Sequence, residues 1–518
     1  KSTAIIASLT LVSRLLGLPR DILIAGFLGA GAVSDAFFTA FKLPNVFRRM
    51  FAEGAFNAAF VPLYAKRIEE EGEEAADNFA SETMAALFTL VAAVVIIFEL
   101  TMPWSLGIIG GGLEKTVNAE GIAPYRLAVT YAWITMPYLL LISLTAMFSG
   151  ILNTRHRFVA AAFAPVLLNV VLISIFAAMA HANWSKAQLA IFLCLGMSIS
   201  GVLQLSLVVW ACRKEGVKIR FQRPRMTPGM KRLLALGIPG MLAAGITHIN
   251  IMVSHNISTL QTSGASWLNY ADRLYQLPLG MIGIAMGVAL LPSLSRRLRS
   301  GDEQGAKTSL NRAMEIAAFL TLPAAAALAV MPEFLVSGLF ERGAFDAFDS
   351  AATGKALLMF AFGLPAFVLI KVLTPAFFAR ENTKTPMIYA SISAMINLVL
   401  GYVLFMTLGF WGLAVATSIA AWINVGMLLR TLLRSGDFAP DARLLGRLPR
   451  IGLASGVMAI GVWYMAKQAD HMLGDSFVMN YFVLGLVSFA GLCLYALAGW
   501  AIRAYSPDDI RYALGKQK

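Results

Sequence analysis

The sequence predicts an all-α polytopic membrane protein with about fourteen transmembrane helices, arranged as two parallel-repeat six-helix lobes plus two extra C-terminal helices. Three observations predict it: an apolar excess, apolar runs that alternate with basic loops, and an internal repeat. Of the 518 residues, 58% are hydrophobic and 14% are charged, whereas soluble domains average about 45–50% and about 25%. Surface of this composition must face lipid, which excludes a soluble enzyme, a disordered chain and a nucleic-acid-binding domain. The strands of an outer-membrane barrel are short and only alternately apolar, so that class is excluded too.

The apolar runs are long enough to cross a bilayer as helices. A membrane-spanning helix needs roughly 20 apolar residues, and runs of this kind predict fourteen spans. These spans lie near residues 4–28, 33–64, 82–109, 124–150, 158–181, 187–212, 231–257, 266–294, 310–332, 354–378, 386–406, 409–432, 449–468 and 478–502.

The loops between these spans alternate in charge. One set is rich in Lys and Arg, including the loop 213–232 with eight of them, whereas the alternate loops such as 29–32 and 407–408 contain almost none. Cytoplasmic loops of membrane proteins carry the excess of Lys and Arg. The basic loops and both termini are therefore expected in the cytoplasm, and the net charge of +13 is explained without a nucleic-acid partner.

A direct repeat divides the chain into two similar halves. The matched pairs are Leu16–Pro19 with Leu236–Pro239, Leu43-Pro44 with Leu277-Pro278, and Pro137–Asn169 with Pro365–Asn397. Their offsets are similar and correspond to six spans, so both halves have the same orientation, as in parallel-repeat transporters. The predicted domains are an N-lobe at 1–213, a C-lobe at 214–435, and two added spans at 436–518.

Several spans contain charged residues, which is costly in lipid. They are Arg14, Arg20 and Asp21 in span 1; Asp35, Lys42, Arg48, Arg49 and Glu53 in span 2; Asp272 and Arg273 in span 8; and Lys371 in span 10. Each Arg or Lys at a bilayer centre costs about 2.5–3.5 kcal/mol. These side chains are therefore expected to face a polar interior. Helical spacing places Arg14, Gly17 and Asp21 on one face of span 1.

Two explanations for these charges remain open. They could neutralise one another as internal ion pairs, with Arg20 paired to Asp21 or Asp35, Arg49 to Glu53, and Asp272 to Arg273. However, seven cations face four acids in these spans, and this excess favours binding of an anion. Because guanidinium groups bind phosphate oxygens bidentately, a phosphate or diphosphate is the predicted ligand.

No other chemistry is indicated. There is no metal-binding motif, no Ser/His/Asp signature and no Walker sequence, so neither a cofactor nor a metal is predicted. Transport would then draw on a coupling cation, the membrane potential or a partner protein. His248 and His255 share one face of span 7, and a buried helix contact is favoured over a proton relay.

The charged motifs resemble those of a known family. The matching segments are Ser13–Asp21 (SRLLGLPRD), Ser34–Phe38 (SDAFF), Phe41–Asn45 (FKLPN), Arg48–Phe56 (RRMFAEGAF), Tyr270–Leu274 (YADRL) and Leu290–Leu294 (LLPSL). They resemble the MurJ (MviN) family of bacterial lipid II flippases, within the multidrug/oligosaccharidyl-lipid/polysaccharide exporter superfamily, and the resemblance covers the whole chain.

This resemblance implies a function and a set of site residues. The function is transport of lipid II, an undecaprenyl-diphosphate-linked disaccharide pentapeptide, to the outer leaflet of the bacterial inner membrane for peptidoglycan synthesis. The implied functional residues are the arginines Arg14, Arg20, Arg48 and Arg273 and the acids Asp35 and Asp272. The family also implies that the last two spans form a groove for the lipid tail.

The expected mechanism is alternating access around a cationic cavity in which the arginines hold the diphosphate. Two alternatives stay open. One is an exporter of another lipid-linked oligosaccharide or of drugs, and the other is a membrane glycosyltransferase. A glycosyltransferase would need a catalytic acid in an outer loop, and only the region Glu341–Asp349 offers one.

Overall fold

A computed structural model describes residues 2–49, 55–114, 123–179, 184–474 and 476–504. The chain divides into two compact units, residues 1–266 and 267–518. The helices that begin in unit 1 are α1 (Ser2–Leu28), α2 (Ala32–Arg48), α3 (Ala55–Glu71), α4 (Glu73–Ser105), α5 (Gly107–Gly110), α6 (Pro124–Thr135), α7 (Tyr138–Thr154), α8 (Phe158–Met179), α9 (Lys186–Lys214), α10 (Pro228–Ser258) and α11 (Gly264–Arg299). Those of unit 2 are α12 (Glu303–Val330), α13 (Pro332–Phe340), α14 (Ala347–Phe378), α15 (Lys384–Leu408), α16 (Trp411–Arg434), α17 (Ala442–Ala469) and α18 (Phe477–Ala501).

The all-helical prediction is confirmed. The described ranges contain no β-strand, only a single bridge between Arg342 and Phe345. Short 3-10 segments follow α5 and α17. Ten helical segments are long and apolar enough to span a membrane, and each coincides with one predicted span. The other four predicted spans coincide with α1, with α2 and α3 together, with α10 and with α11.

Large apolar side chains cover much of the exterior. Leu100 and Trp104 of α4 are 73% and 75% exposed, and Val478 and Trp500 of α18 are 77% and 69% exposed. In water such surface would associate or aggregate. The apolar excess of the composition therefore lies on helix faces that suit contact with lipid.

Side-chain caps explain where several helices begin. Ser185 and Gln188 form a reciprocal capping box at α9, and the Thr227 hydroxyl accepts from the Met230 N–H at α10. Asp302 accepts from Gly305 at α12, and Asp441 accepts from Leu444 at α17. Each cap satisfies a main-chain N–H that has no partner within its own helix.

In unit 1, α10 packs against α3 and, near its end at Ser258, against α2 and α5. The same unit packs α1 on α8, α2 on α6, and α7 on α9. The repeat assigned α10 to the second lobe, whereas by contact it belongs to unit 1. Packing in one conformation does not show which helices are related by the repeat. The boundary between the lobes 1–213 and 214–435 therefore stays a prediction.

In unit 2, the two helices beyond the repeat pack on one side of the remaining helices. α17 contacts α12, and α18 contacts α17 and α13. Met458, Val462 and Val487 form the centre of this packing, and the Tyr495 hydroxyl donates to the Phe319 carbonyl oxygen at 2.8 Å. Ion pairs add to these contacts, because the buried Glu315 carboxylate of α12 accepts from Arg443 and Arg447 of α17.

Two asparagines at matching positions of the repeat are both buried. Asn169 of α8 and Asn397 of α15 are 4% and 7% exposed. Asn169 bonds to α1, and Asn397 accepts from the Thr417 hydroxyl of α16 at 3.3 Å. Buried amides of membrane helices need such interhelical partners. The repeat matches α1 with α10 and not with α16, so these bonds do not test it.

Candidate functional site

Asp35 of α2 is fully buried and is bonded to the start of α11. One carboxylate oxygen accepts from the Ser263 N–H at 2.7 Å, and the other accepts from the Ser266 N–H at 2.8 Å and the Ser266 hydroxyl at 2.6 Å. A buried carboxylate is tolerated only when hydrogen bonds satisfy it. The positive end of a helix dipole also favours a negative charge at this place. Asp35 therefore holds the first turn of α11 against α2.

A chain of hydrogen bonds joins α2 to α10 one turn further along. The Thr39 hydroxyl donates to the Asp35 main-chain oxygen at 2.7 Å, so its oxygen accepts from Nε2 of His255 at 2.9 Å. Because Nε2 then carries the ring hydrogen, Nδ1 of His255 is the acceptor for the Lys42 ammonium at 3.2 Å. His255 is 5% exposed, which agrees with the buried contact expected from the sequence.

The end of α10 also touches α5 and the 3-10 segment that follows it. The Asn256 amide donates to the main-chain oxygens of Gly107 and Ile108, at 2.8 and 2.9 Å. A Cβ atom on Gly112 would lie 2.4 Å from the Leu260 nitrogen, so only glycine permits this approach. We call these bonds and those of Asp35 and His255 the α2–α10 contact.

Arg20 and Asp21 form a buried ion pair on α1. The guanidinium donates to one Asp21 oxygen through Nε at 3.0 Å and Nη2 at 2.7 Å, and Nη1 donates to Asn169 of α8 at 2.8 Å. Asn169 in turn donates to the Ser13 carbonyl oxygen at 2.9 Å. Of the pairings considered from the sequence, the one between Arg20 and Asp21 is present. In this conformation Arg20 binds within the protein.

The structure also describes the surroundings of Arg48, Arg49 and Gly17. Arg48 is half-buried in the last turn of α2, and Arg49, which follows it, is exposed. The space beside Gly17 is open, since a Cβ there would meet no atom within 4 Å. The Arg14 side chain and Glu53 lie outside what the structure describes.

The charge of this region is strongly positive. Between Arg14 and Arg49 the chain contains five cations and two acids. One cation is paired with Asp21, and Asp35 is committed to α11. By sequence, α1 and α2 therefore carry the net positive charge from which an anionic ligand is predicted.

Asp272 and Arg273 lie on α11, and both are half-buried. The Gln276 amide donates to the Asp272 carboxylate one turn later. Lys371 of α14 is exposed. Their assignment to a substrate site stays a prediction.

Sequence reasoning missed the partners of the charged residues. Thr39, Asn169, Ser263 and Ser266 complete the networks of Asp35 and Arg20, yet they belong to no charged motif. Asn169 had a usable signal, because the repeat aligns it with Asn397. The two serines had none, since two of their three bonds use main-chain N–H groups and no motif marks the Ser266 hydroxyl that makes the third.

Unit 2 contains a cavity of about 450 Å³ beside α13 and α14. Glu341 and Asp470 line it, but none of the three charged residues predicted in this unit does. It borders the region Glu341–Asp349, where a glycosyltransferase would need its catalytic acid. Among the described residues no group of His, Cys, Asp or Glu has the geometry of a metal site.

Comparisons with known proteins identify the family. The family model described as "Lipid II flippase MurJ" matches residues 24–486. The "Probable lipid II flippase MurJ" of Rhizobium meliloti (strain 1021) is 46% identical over 515 residues, 99% of this chain and 95% of the relative.

Solved structures agree with that result. The structure "Lipid II flippase MurJ, inward closed conformation" matches with a TM-score of 0.77 at 26% identity, covering 99% of each chain. An inward-facing MATE family transporter of the MOP superfamily matches with a TM-score of 0.68 at 16% identity, covering 84% of this chain and 99% of that one. This second likeness shows the fold alone. The family is one of transporters and not of enzymes, which removes the glycosyltransferase alternative, and the chain belongs to the lipid II flippase MurJ family.

Proposed function

We propose that this protein moves lipid II from the inner to the outer leaflet of the bacterial inner membrane. The observation that carries the proposal is the net positive charge of α1 and α2, which lies within the predicted membrane spans. A diphosphate with several acceptor oxygens neutralises such a charge through short, charge-assisted bonds. The names of the relatives supply the substrate, lipid II.

In the proposed mechanism Arg14, Arg48 and Arg273 hold the diphosphate, with Arg49 and Lys42 adding positive potential. Planar guanidinium groups match the phosphate oxygens better than ammonium groups do. Arg20 is available only when its bonds to Asp21 and Asn169 open. Asp35 and Asp272 act by positioning α11 and the groups on it. The sugar and peptide lie in a wet interior, and the two added helices accompany the prenyl tail.

The α2–α10 contact supplies a closing device for this mechanism. With the basic loops in the cytoplasm, residues 29–31 and 259–263 lie on the outer side, so the contact closes the outer entrance. Release of substrate to the outer leaflet requires the bonds of Asp35, His255 and Asn256 to part. Alternating access of this kind needs no catalytic group. The coupling cation or membrane potential would act by shifting this equilibrium.

Transport by the purified protein in lipid vesicles tests the proposal. Vesicles would contain fluorescent lipid II, and arrival in the opposite leaflet would be followed with a membrane-impermeant quencher. We expect transport of lipid II well above that of protein-free vesicles, and slower transport of an undecaprenyl-diphosphate linked to an O-antigen-type sugar. Faster transport of the second lipid would assign the protein to the related exporters instead.

A further inference from the structure

Residues 217–226, between α9 and α10, form an extended segment outside any helix. We call it the basic strap. Its first four side chains alternate, since Val217 is buried and Ile219 half-buried, whereas Lys218 and Arg220 are exposed. From residue 221 to residue 226 every side chain is exposed except that of Gln222, which is half-buried. The start of the strap therefore packs on unit 1, and the rest presents its side chains outward.

The main chain of the strap is fixed along α4. The Lys218 N–H donates to the Asp77 carboxylate at 2.8 Å, and the Arg220 N–H donates to the Ser81 hydroxyl at 3.0 Å. After the strap, the Thr227 hydroxyl donates to the Glu82 carboxylate at 2.7 Å. These anchors lie within two turns of α4. The cationic side chains of the strap therefore take no part in the bonds that hold its main chain.

The Asp77 carboxylate, which anchors the strap, is fixed by two further hydrogen bonds. It accepts from the Tyr64 hydroxyl and from Nη2 of Arg155, both at 3.1 Å. Burial alone would lower the pKa of Arg155, but its bond with the Tyr64 hydroxyl and the charges of Asp77 and Glu73 raise that pKa. The Arg155 guanidinium therefore stays charged and fixes the Asp77 carboxylate that accepts from the strap.

Four exposed cations lie on the strap: Lys218, Arg220, Arg223 and Arg225. Within the described part of the chain, none of the four forms an ion pair with an acidic side chain. Such a concentration of like charge in ten residues repels itself and attracts anions. The strap is therefore a fixed surface with uncompensated positive charge.

Two apolar side chains project from the same strap. Phe221 is 70% exposed and meets Phe88 of α4 edge-on at 5.3 Å, and Met226 is 63% exposed. Phe88 lies about 16 Å along α4 from Asp77, at 1.5 Å per residue, and Leu90 beside it is 48% exposed. The strap thus runs from a polar part of α4 to its apolar surface, which is the arrangement of an element at a membrane interface.

We propose that the basic strap binds the head groups of anionic phospholipids. Arg220, Arg223 and Arg225 would hold the phosphate groups, and Phe221 and Met226 would insert among the acyl chains. Cations near a membrane surface attract anionic lipids, and apolar side chains favour the acyl region over water. A free inorganic anion would gain nothing from the exposed Phe221 and Met226. The site is distinct from the charges of α1 and α2, and its proposal does not depend on lipid II transport.

A fluorescent label on the strap gives a local test. The full chain with Gln222→Cys and Cys493→Ser would carry an environment-sensitive dye, in a neutral detergent, and would be titrated with phosphatidylglycerol. We expect a saturable blue shift with phosphatidylglycerol and none with phosphatidylcholine or inorganic phosphate. Replacing Arg220, Arg223 and Arg225 by Gln should weaken binding by on the order of fivefold per cation, about 100-fold together.

A matched variant controls for net charge. Arg296→Gln, Arg299→Gln and Arg434→Gln remove three exposed cations elsewhere, and this protein should bind within about twofold of the parent, as expected for sites outside the strap. The strap variants should melt like the parent, because the anchoring bonds use main-chain groups. An equal loss in both triple variants, or no loss in the strap variant, would overturn the proposal. Displacement by undecaprenyl diphosphate at tenfold lower concentration would instead assign the strap to the transported lipid.

Discussion

The Asp35 carboxylate accepts the main-chain N–H of Ser266 at 2.8 Å, so a charge on α2 holds the first turn of α11. This bond connects two helices that the sequence assigns to different halves of the repeat. Two more donors, the Ser266 hydroxyl and the Ser263 N–H, complete the shell of this carboxylate. Any movement that separates α2 from α11 must break all three bonds together.

We expect Asp35→Asn to loosen the start of α11. The amide has no charge, and its NH₂ group would face N–H or O–H donors of Ser263 and Ser266. Buried donors would then lack an acceptor, at a cost of about 1–3 kcal/mol of folding free energy. Hydrogen exchange in a peptide covering residues 259–268 should therefore accelerate. Asp302→Asn, the same substitution at the N-cap of α12, should leave that peptide unchanged. Equal exchange in Asp35→Asn and the parent would refute the anchoring role.

The α2–α10 contact should be able to lock the transporter. In a protein without its native cysteines, Thr39→Cys with His255→Cys replaces a direct side-chain bond of 2.9 Å. Because the imidazole bridges most of the gap, the two cysteines are too far apart for a direct disulfide. A short, reducible bifunctional thiol reagent should join the two helices and stop lipid II transport, and a reducing agent should restore it. Each single cysteine, treated in the same way, serves as the control and should not be cross-linked. Full transport by the cross-linked protein would mean that these helices need not part.

For Arg20 the observed ion pair predicts a defect in stability. Arg20→Ala strands a buried Asp21 carboxylate and removes the bond to Asn169, which should cost about 3–5 kcal/mol of folding free energy. The yield in detergent and the melting temperature should both fall. Adding Asp21→Asn should recover most of the loss, since the stranded charge is gone. An Arg20→Ala protein as stable as the parent would show that neither the ion pair nor the Arg20 bond to Asn169 of α8 stabilises the fold.

The spans, the all-helical fold and the charged motifs could be predicted from the sequence because hydrophobicity and charge are local properties of the chain. Asp35 was identified as functional, but its partners Ser263 and Ser266 were not, because main-chain donors leave no mark in the sequence. The buried contact of His255 followed from its helical spacing. Its partners Thr39 and Lys42 follow only from how α2 packs on α10. The partner of Arg20 could not be predicted, because both Asp21 and Asp35 were possible; in the structure it is Asp21.

The orientation of the chain is predicted from its charge and is testable by labelling. In intact cells, an impermeant thiol reagent should modify Leu408→Cys, at the end of α15, and should miss Gln222→Cys on the basic strap. Both positions should react after the membrane is opened, which controls for access. Modification of Gln222→Cys from outside would invert the topology and would place the α2–α10 contact at the cytoplasmic entrance.

Substitution of Arg48 tests most directly whether cations of α1 and α2 bind the diphosphate of lipid II. Lipid II transport in vesicles would be measured for the parent, Arg48→Ala and Arg48→Lys, each incorporated at equal amount with its melting temperature checked. We expect Arg48→Ala to abolish transport while the protein melts near the parent. Arg48→Lys should be clearly impaired, because the ammonium keeps the charge but loses the bidentate fork. Full transport by the folded Arg48→Ala protein would contradict the account.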